Sequence, residues 1–554
     1  MHLCELEEFF NNFSNVKRGF YHNVKNNWFT YQLHFKYHKR FIMKYLPILF
    51  ILFTFYSCSE KLIENARVFY VDSSTGNDTN SGLSPESAWS GLEKVNETIF
   101  KPGDKILFAA GTRYNGQLNL TGSGTYDQPI LIDMYGEGGK PLIEAGGNFP
   151  EALLLKNVEY WEVQNLELTN NGPYREENRW GVRVLAEDFG EMKHIRLQNL
   201  YVHDVNGWLK KSYEEGCGIY WETLGEKPSW FNGLYIENCH LARTDRNGIC
   251  GRHIFVKRAE NWNPSLNVVI RGNLLMDIGG DAIKPWGCDG ALVEYNIVRG
   301  ARTRCDDYAA GIWPWSSDNT LIQYNEVSGV KGYKDGQGFD SDYNCRNTIF
   351  QYNYSHDNEG GFMLICTPKP DENNVGCVGT VIRYNLSVND QTRTFDIGGG
   401  AINTHIYNNT IYVGRGLDVK LANYGSWGEN NWSDGMYFYN NIFYADKGAV
   451  LRIVERTESK GDGRRESVPG MGKSTNNEFK ANAYFGTVLN IPEDTEGIYE
   501  NPMLVNPGSY NVLDYKLKSD SPCIDAGKTI IDKINDYFGI PITSPPDIGA
   551  VEFE

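Results

Sequence analysis

Residues 292–329 read LVEYNIVRGARTRCDDYAAGIWPWSSDNTLIQYNEVSG. The stretch begins and ends on the same phrase: LVEYNIV around Asn296 returns as LIQYNEV around Asn325. The pattern apolar-x-x-Asn-x-apolar recurs at Asn165, Asn199, Asn238 and Asn273 on one side and at Asn353, Asn385, Asn409 and Asn441 on the other, at intervals of 23–39 residues. A repeat of this kind decides the architecture before any local propensity does. Each unit holds two or three short runs rich in Val, Ile, Tyr and Phe, parted by Gly, Asn and Asp, and helical periodicity is absent. Propeller blades need about 40–45 residues, more than the shortest unit offers. A coil of roughly 20-odd residues, stacking on the next at about 4.8 Å, fits instead. The asparagine then has a physical role, since it tolerates a left-handed turn and its amide can bond the same amide one coil above and below. The expected fold is all-β, a right-handed parallel β-helix with loop insertions.

Composition agrees with a large folded body. The 554 residues are 41% hydrophobic and 13% aromatic, which excludes global disorder. Lys+Arg 53 against Asp+Glu 70 leaves a net charge of -17, a poor balance for a nucleic-acid binder. Residues 43–58, MKYLPILFILFTFYSC, read as a secretory signal whose Cys58 is placed for lipidation, so the expected location is exported and membrane-anchored, at the outer membrane. Residues 1–42 then read as an upstream extension and 59–67 as a linker. Residues 68–150 are expected to form an N-terminal cap, with a helix near 86–97, and the first coils. Residues 151–455 would form the core carrying the active face, and 456–554 the closing coils and cap. The nine cysteines beyond the leader show no metal-ligand spacing and are read as buried thiols.

The segments YVDSSTGNDTNSGLSPESAW and FKPGDKILFAAG, the asparagine ladder, and the exit SDSPCIDAG with DIGAVE together resemble the right-handed parallel β-helix proteins of the pectate-lyase-like superfamily, over residues 68–554. The resemblance implies a carbohydrate-active protein. Its members include lyases, hydrolases, epimerases and adhesins, so chemistry must come from a site.

In each unit a Gly-rich turn precedes a short strand. Taking Ile219, Ile249, Ile283, Ile312, Phe339, Phe362 and Phe395 as inward, alternation sends Tyr220 and Glu222, Cys250 and Arg252, Lys284 and Trp286, Trp313 and Trp315, Asp340 and Asp342, Met363 and Ile365, and Asp396 outward on one wall. Tryptophans so placed are platforms for sugar rings. Asp340 and Asp342, about 6.6 Å apart along a strand, are the candidate acid and base, favouring an inverting pair, with Glu359 approaching from the next turn. His356 is a candidate orienting or proton-transfer group. Arg252, Lys284, Glu222, Trp286, Trp313, Trp315 and Asp396 are candidate substrate contacts. The favoured function is a glycoside hydrolase acting on a polysaccharide or oligosaccharide, for which no cofactor is required. A polysaccharide lyase is the alternative, with Lys284 or Arg252 as base and calcium on Asp306, Asp307, Asp340 and Asp342. A carbohydrate-binding surface protein without catalysis is the third.

Overall fold

The computed structural model describes residues 66–212, 216–459, 465–529 and 534–554. The upstream extension, the signal and Cys58 lie outside the described residues. The chain is a right-handed parallel β-helix. Its coils contribute to three walls: among the described residues, one of 17 strands from Val68–Val71 onward, one of 13 from Arg113–Asn115 to Ala483–Phe485, and a third built as a six-stranded and a seven-stranded run. Pairing between successive coils is parallel and in register, as at Leu292↔Leu321↔Ile349↔Val381.

The asparagine repeat separates into two columns. From Asn273 onward the asparagine points inward and is buried. Each side-chain amide donates to the next, through Asn296, Asn325, Asn353, Asn385, Asn409, Asn441 and Asn482, at 2.9–3.0 Å. The first three members differ. Asn165, Asn199 and Asn238 occupy the preceding turn position, with φ of 60°, 51° and 55°, and Leu166, Leu200 and Cys239 take the inward place. In later coils that left-handed position belongs to Gly272, Tyr295, Tyr324, Tyr352 and Tyr384. The sequence pattern merges the columns because they are one residue apart. Between the walls lies an apolar core, in which Phe339, Phe362, Phe395 and Phe438 meet edge to face at 5.6–5.9 Å.

At the N-terminal end the expected single helix is broken. A 3-10 turn, Pro85–Ser87, and a helix, Leu92–Glu97, are separated where Asp78 takes the N–H groups of Ser90 and Gly91 at 2.7 and 3.0 Å. Leu92 and Val95 bury against the first coils. At the other end, the segment from Leu504 to Val551 does not form closing coils. Leu504, Tyr515, Leu517, Cys523, Ile548 and Val551 pack against Leu386, Val388, Tyr412 and Ile442 of the second wall. Asn408 fixes the segment by donating to the carbonyls of Asp547 and Gly549. The nine cysteines of the described region are buried free thiols.

The third wall has a seam. Its six-stranded run ends at Ile283–Lys284, and its seven-stranded run begins at Gln337–Ser341. Among the described residues only isolated bridges join them, Ile283↔Ile312, Trp286↔Trp315 and Ile312↔Phe339. Pro285 and Pro314, which lack the N–H a ladder needs, sit at the seam.

Candidate active site

The seam carries the candidate residues. Ile219, Ile249, Ile283, Ile312 and Phe339 stand in cross-coil register and all lie in the core, so their neighbours project outward, as alternation requires. One coil later the assignment slips by one. Phe339 pairs with Met363, not Phe362, so Met363 and Ile365 point inward while Leu364 and Cys366 face out beside Asp340 and Asp342. Asp396 follows Leu364 in the Asp340 row.

Outward does not mean exposed. Asp340 is 2% accessible and Trp313 1%, because inserted loops cover the wall. One such loop brings Lys211 to Trp313, its ammonium 4.7 Å from the ring, and is held by the Lys211 N–H donating to the Asp307 carboxylate. Lys284 lies 5.3 Å from the Trp313 ring, and the indole N–H donates to Asp281 at 3.0 Å. Trp313 is therefore an internal strut rather than a sugar platform. Its neighbours form a more accessible aromatic platform: half-buried Trp286 and Trp315, with ring centres 5.7 Å apart, and Tyr343 stacked on Trp315 at 4.7 Å, are the candidate sugar contacts.

Three carboxyl groups, those of Asp335, Asp340 and Asp342, influence one another beside this platform. Asp340, Asp342 and Cys366 place one oxygen or sulfur each within 4.8 Å of one another. Asp342 accepts from the Tyr343 N–H at 2.6 Å and lies 3.6 Å from the Cys366 sulfur. Asp340 Oδ1 has no hydrogen-bond partner among the described residues. Burial, reinforced by the charges of Asp342 and Asp335, pushes Asp340 well above the ordinary carboxylate range. Burial raises Asp342 to about 6 against the pull of Lys211. Asp335 is raised to about 7, again chiefly by burial, with Asp342, Asp281 and Asp396 adding repulsion. Asp335 sits at a left-handed turn, φ 63°, immediately before Gly336. Any side chain at 336 would meet the Gly332 carbonyl oxygen at 2.1 Å, so the turn bringing Asp335 over the wall requires glycine. Asp281 behaves oppositely. Burial works to raise it, but Arg246, Lys211 and Lys284 outweigh burial and hold it low.

Several expected members stand elsewhere. Glu359 accepts from the Gly332 N–H at 2.6 Å and pairs with Lys331 at 3.2 Å, which holds it below its ordinary range as a structural carboxylate of the turn. His356 lies on a different wall, in Tyr354–His356 of the 13-stranded sheet, bonded to Asp357 at 2.8 Å and stacked on Tyr354. It cannot orient Asp340. Glu222 is buried between Arg183 and Arg252 and is tied to the coil ladder. Arg252 reaches it at 3.4 Å, and Lys284 lies 4.0 Å from Asp281. Asp396 is paired with Arg393 at 2.5 Å and accepts from Asn423 at 2.6 Å. Asp306 and Asp307 do not gather as metal ligands: Asp307 faces Arg246 at 3.2 Å, and Asp306 is exposed. The group of possible ligands among the described residues is Asp340, Asp342 and Cys366, and burial keeps that thiol well above its usual range. Calcium takes six to eight oxygens, so this donor set does not fit it. Asp281 and Lys211 are the members whose place in the site the sequence did not reveal; Asp335 was expected only on a loop, VKGYKDGQG, flanking the face. A DG turn beside a wall strand was the available signal for Asp335; nothing local marked Lys211.

No family model matches the chain. The chain is 28% identical to the Lacto-N-biosidase of Bifidobacterium longum subsp. longum over 88% of its own length, and it spans 36% of that protein. Over a shorter stretch, 112 residues and 18% of the chain, it is 27% identical to an Alpha-1,3-galactosidase A of Akkermansia muciniphila. Among solved structures it is similar to the native GH136 lacto-N-biosidase of Eubacterium ramulus, with 29% identity and a TM-score of 0.57, covering 66% of this chain and 68% of that one.

Proposed function

We propose that this chain is a glycoside hydrolase that cleaves an oligosaccharide with carboxyl groups at the seam of its third wall. The observation that carries this reading is the set of three neighbouring aspartates, all lifted above the ordinary carboxylate range, beside an aromatic platform. The likeness to two lacto-N-biosidases supports it.

The roles follow from position. Asp340 and Asp342 come within 4.8 Å, which leaves no room for the water that an inverting pair holds between carboxyls about 6.5–9.5 Å apart. This argues against Asp340 and Asp342 as the two members of the inverting pair that strand spacing alone suggested. Two carboxyls this close do not both ionise readily. Asp340, the deeper one, keeps its proton, and the negative charge falls on Asp342, which is held by the Tyr343 N–H. Asp342 attacks the anomeric carbon while Asp335, protonated below about 7, delivers its proton to the leaving oxygen. Asp335 then takes a proton from the water that cleaves the glycosyl ester. Trp286, Trp315 and Tyr343 carry the apolar face of a sugar ring. Elimination of a uronate is less well supported, because Lys284 and Arg252 already face Asp281 and Glu222. The exported, lipid-anchored location belongs to the same proposal: Cys58→Ser should release the protein from the membrane fraction.

The test is a panel of neutral and acidic oligosaccharides, including those a lacto-N-biosidase cleaves. New reducing ends without the ultraviolet absorbance of an unsaturated uronate are expected, with the anomer first released matching the substrate when read by NMR. Absorbance growth would establish the lyase, and binding without turnover the non-catalytic module. Asp335→Asn should be rescued by a leaving group that needs no proton, whereas Asp342→Asn should not.

A further inference from the structure

The third wall continues past the site. Farther along its seven-stranded run a cavity of about 590 Å³ opens, lined by Gln391, Thr392, Leu417, Lys420, Arg452 and Glu455 among others. Register makes its floor unusual: Lys420 and Arg452, which line it, share one row on three consecutive coils with Arg393, just outside it. Successive coils are about 4.8 Å apart, and like charges directly opposite one another destabilise a sheet. The outer two are answered by protein carboxylates, Arg393 by Asp396 at 2.5 Å and Arg452 by Asp418 at 2.8 Å. The Lys420 ammonium, between them, has no ion pair or hydrogen bond among the described residues, while its backbone N–H donates to the Thr392 carbonyl at 3.0 Å. Glu455 does not supply one, since its oxygens are taken by Ser467 at 2.8 Å and Asn490 at 2.5 Å. The Gln391 side chain is likewise without a partner among the described residues. Burial lowers Lys420 from its ordinary range, while Glu455 and Asp396 oppose that shift. A chain of net charge -17 thus keeps three cations in a row and leaves the middle one facing a polar cavity.

We propose that this cavity is a second saccharide subsite, which takes a sugar bearing a carboxylate or a sulfate ester, with Lys420 binding the anion and Gln391 a hydroxyl. The subsite lies three coils from Asp335 on the same wall, so it would hold a remote acidic residue of the substrate cleaved at the seam; in that respect it rests on the hydrolase reading.

The test reads binding alone, so it stands apart from turnover. The full chain carrying Asp342→Asn is titrated at low ionic strength, by ligand-observed NMR, with methyl β-glucuronide, methyl β-glucoside 6-sulfate, methyl β-glucoside and inorganic sulfate. At least one anionic glycoside is expected to bind about tenfold or more tightly than the neutral one, and the two anionic arms tell which group is preferred. Adding Lys420→Met should erase the preference and Lys420→Arg should keep it, with thermal unfolding checking each variant. Should the Met variant fail to fold, Lys420→Gln replaces it. No anionic preference, a preference surviving the loss of the ammonium, or inorganic sulfate binding as tightly as the ester would each overturn the proposal. Loss of hydrolysis in an otherwise binding-competent protein, or its persistence in the Asp342 variant, bears on the seam and not on this cavity.

Discussion

Two columns of buried polar side chains run through adjacent coils, and they have opposite fates. In the inner column, Asn273 to Asn482, every amide donates to the next rung and every rung oxygen accepts in turn. At the seam, Asp340 keeps an oxygen unbonded, and burial together with the charges of Asp342 and Asp335 pushes its proton affinity upward. The fold supplies the same geometry to both. The inner column closes on itself, so it contributes stability; the outer cluster is left open, and an open buried polar group is either a cost or a site. The seam is where the repeat stops satisfying itself.

Asp342→Asn puts that contrast under the greatest strain. It should lower kcat by about 10³-fold or more while leaving the unfolding transition in place, because it removes a reacting group and no structural bond. A rung offers the reverse outcome. Asn353 donates to Asn385 and Ile322 and accepts from Asn325. Asn353→Ala leaves those buried groups unpaired and should cost about 3–5 kcal/mol in denaturant unfolding.

Asp340→Asn should then stabilise the protein. Its folded pKa lies above the unfolded value, so the native state binds more protons and stability falls as pH rises from near 4 toward and past neutrality. The variant's gain should be about 1–3 kcal/mol at pH 8 and vanish near pH 4. Activity should follow a bell, rising as Asp342 ionises near 6 and falling as Asp335 loses its proton near 7. Trp315→Ala should raise KM about five- to tenfold with little change in kcat, as loss of a stacking face predicts. The smallest effect is expected at Asn199→Gly, within about 0.5 kcal/mol, because this residue occupies the left-handed outer turn and not the inner column.

The coil, the walls and the inward Ile and Phe rows were legible because a strand's two-residue period and a repeated phrase are properties of neighbouring residues. Register failed at Gly360-Gly361, where Gly361 pairs with Gln337 and Arg393 rather than with Gly338, which turned Met363 inward. The outward orientation of Trp286, Trp315, Asp340 and Asp342 was legible for the same reason as the walls. Trp313 was read onto the right face but not beneath the loop that covers it. His356 was misplaced because proximity in sequence means little where two walls meet at a turn. Asp335 and Lys211 reach the site through loops, whose paths depend on contacts such as Lys211 with Asp307 that no local pattern records.

The segment from Leu504 to Val551 lies across the outside of the second wall, bonded to Asn408 and packed on Tyr412 and Ile442. Asn408 precedes its partners Asp547 and Gly549 by 139 and 141 residues. This later segment therefore fastens coils that precede it in the chain, like a clasp sewn on after the garment. A chain lacking it would show bare Leu386, Val388 and Tyr412 to its surroundings, an apolar strip on the second wall that invites association.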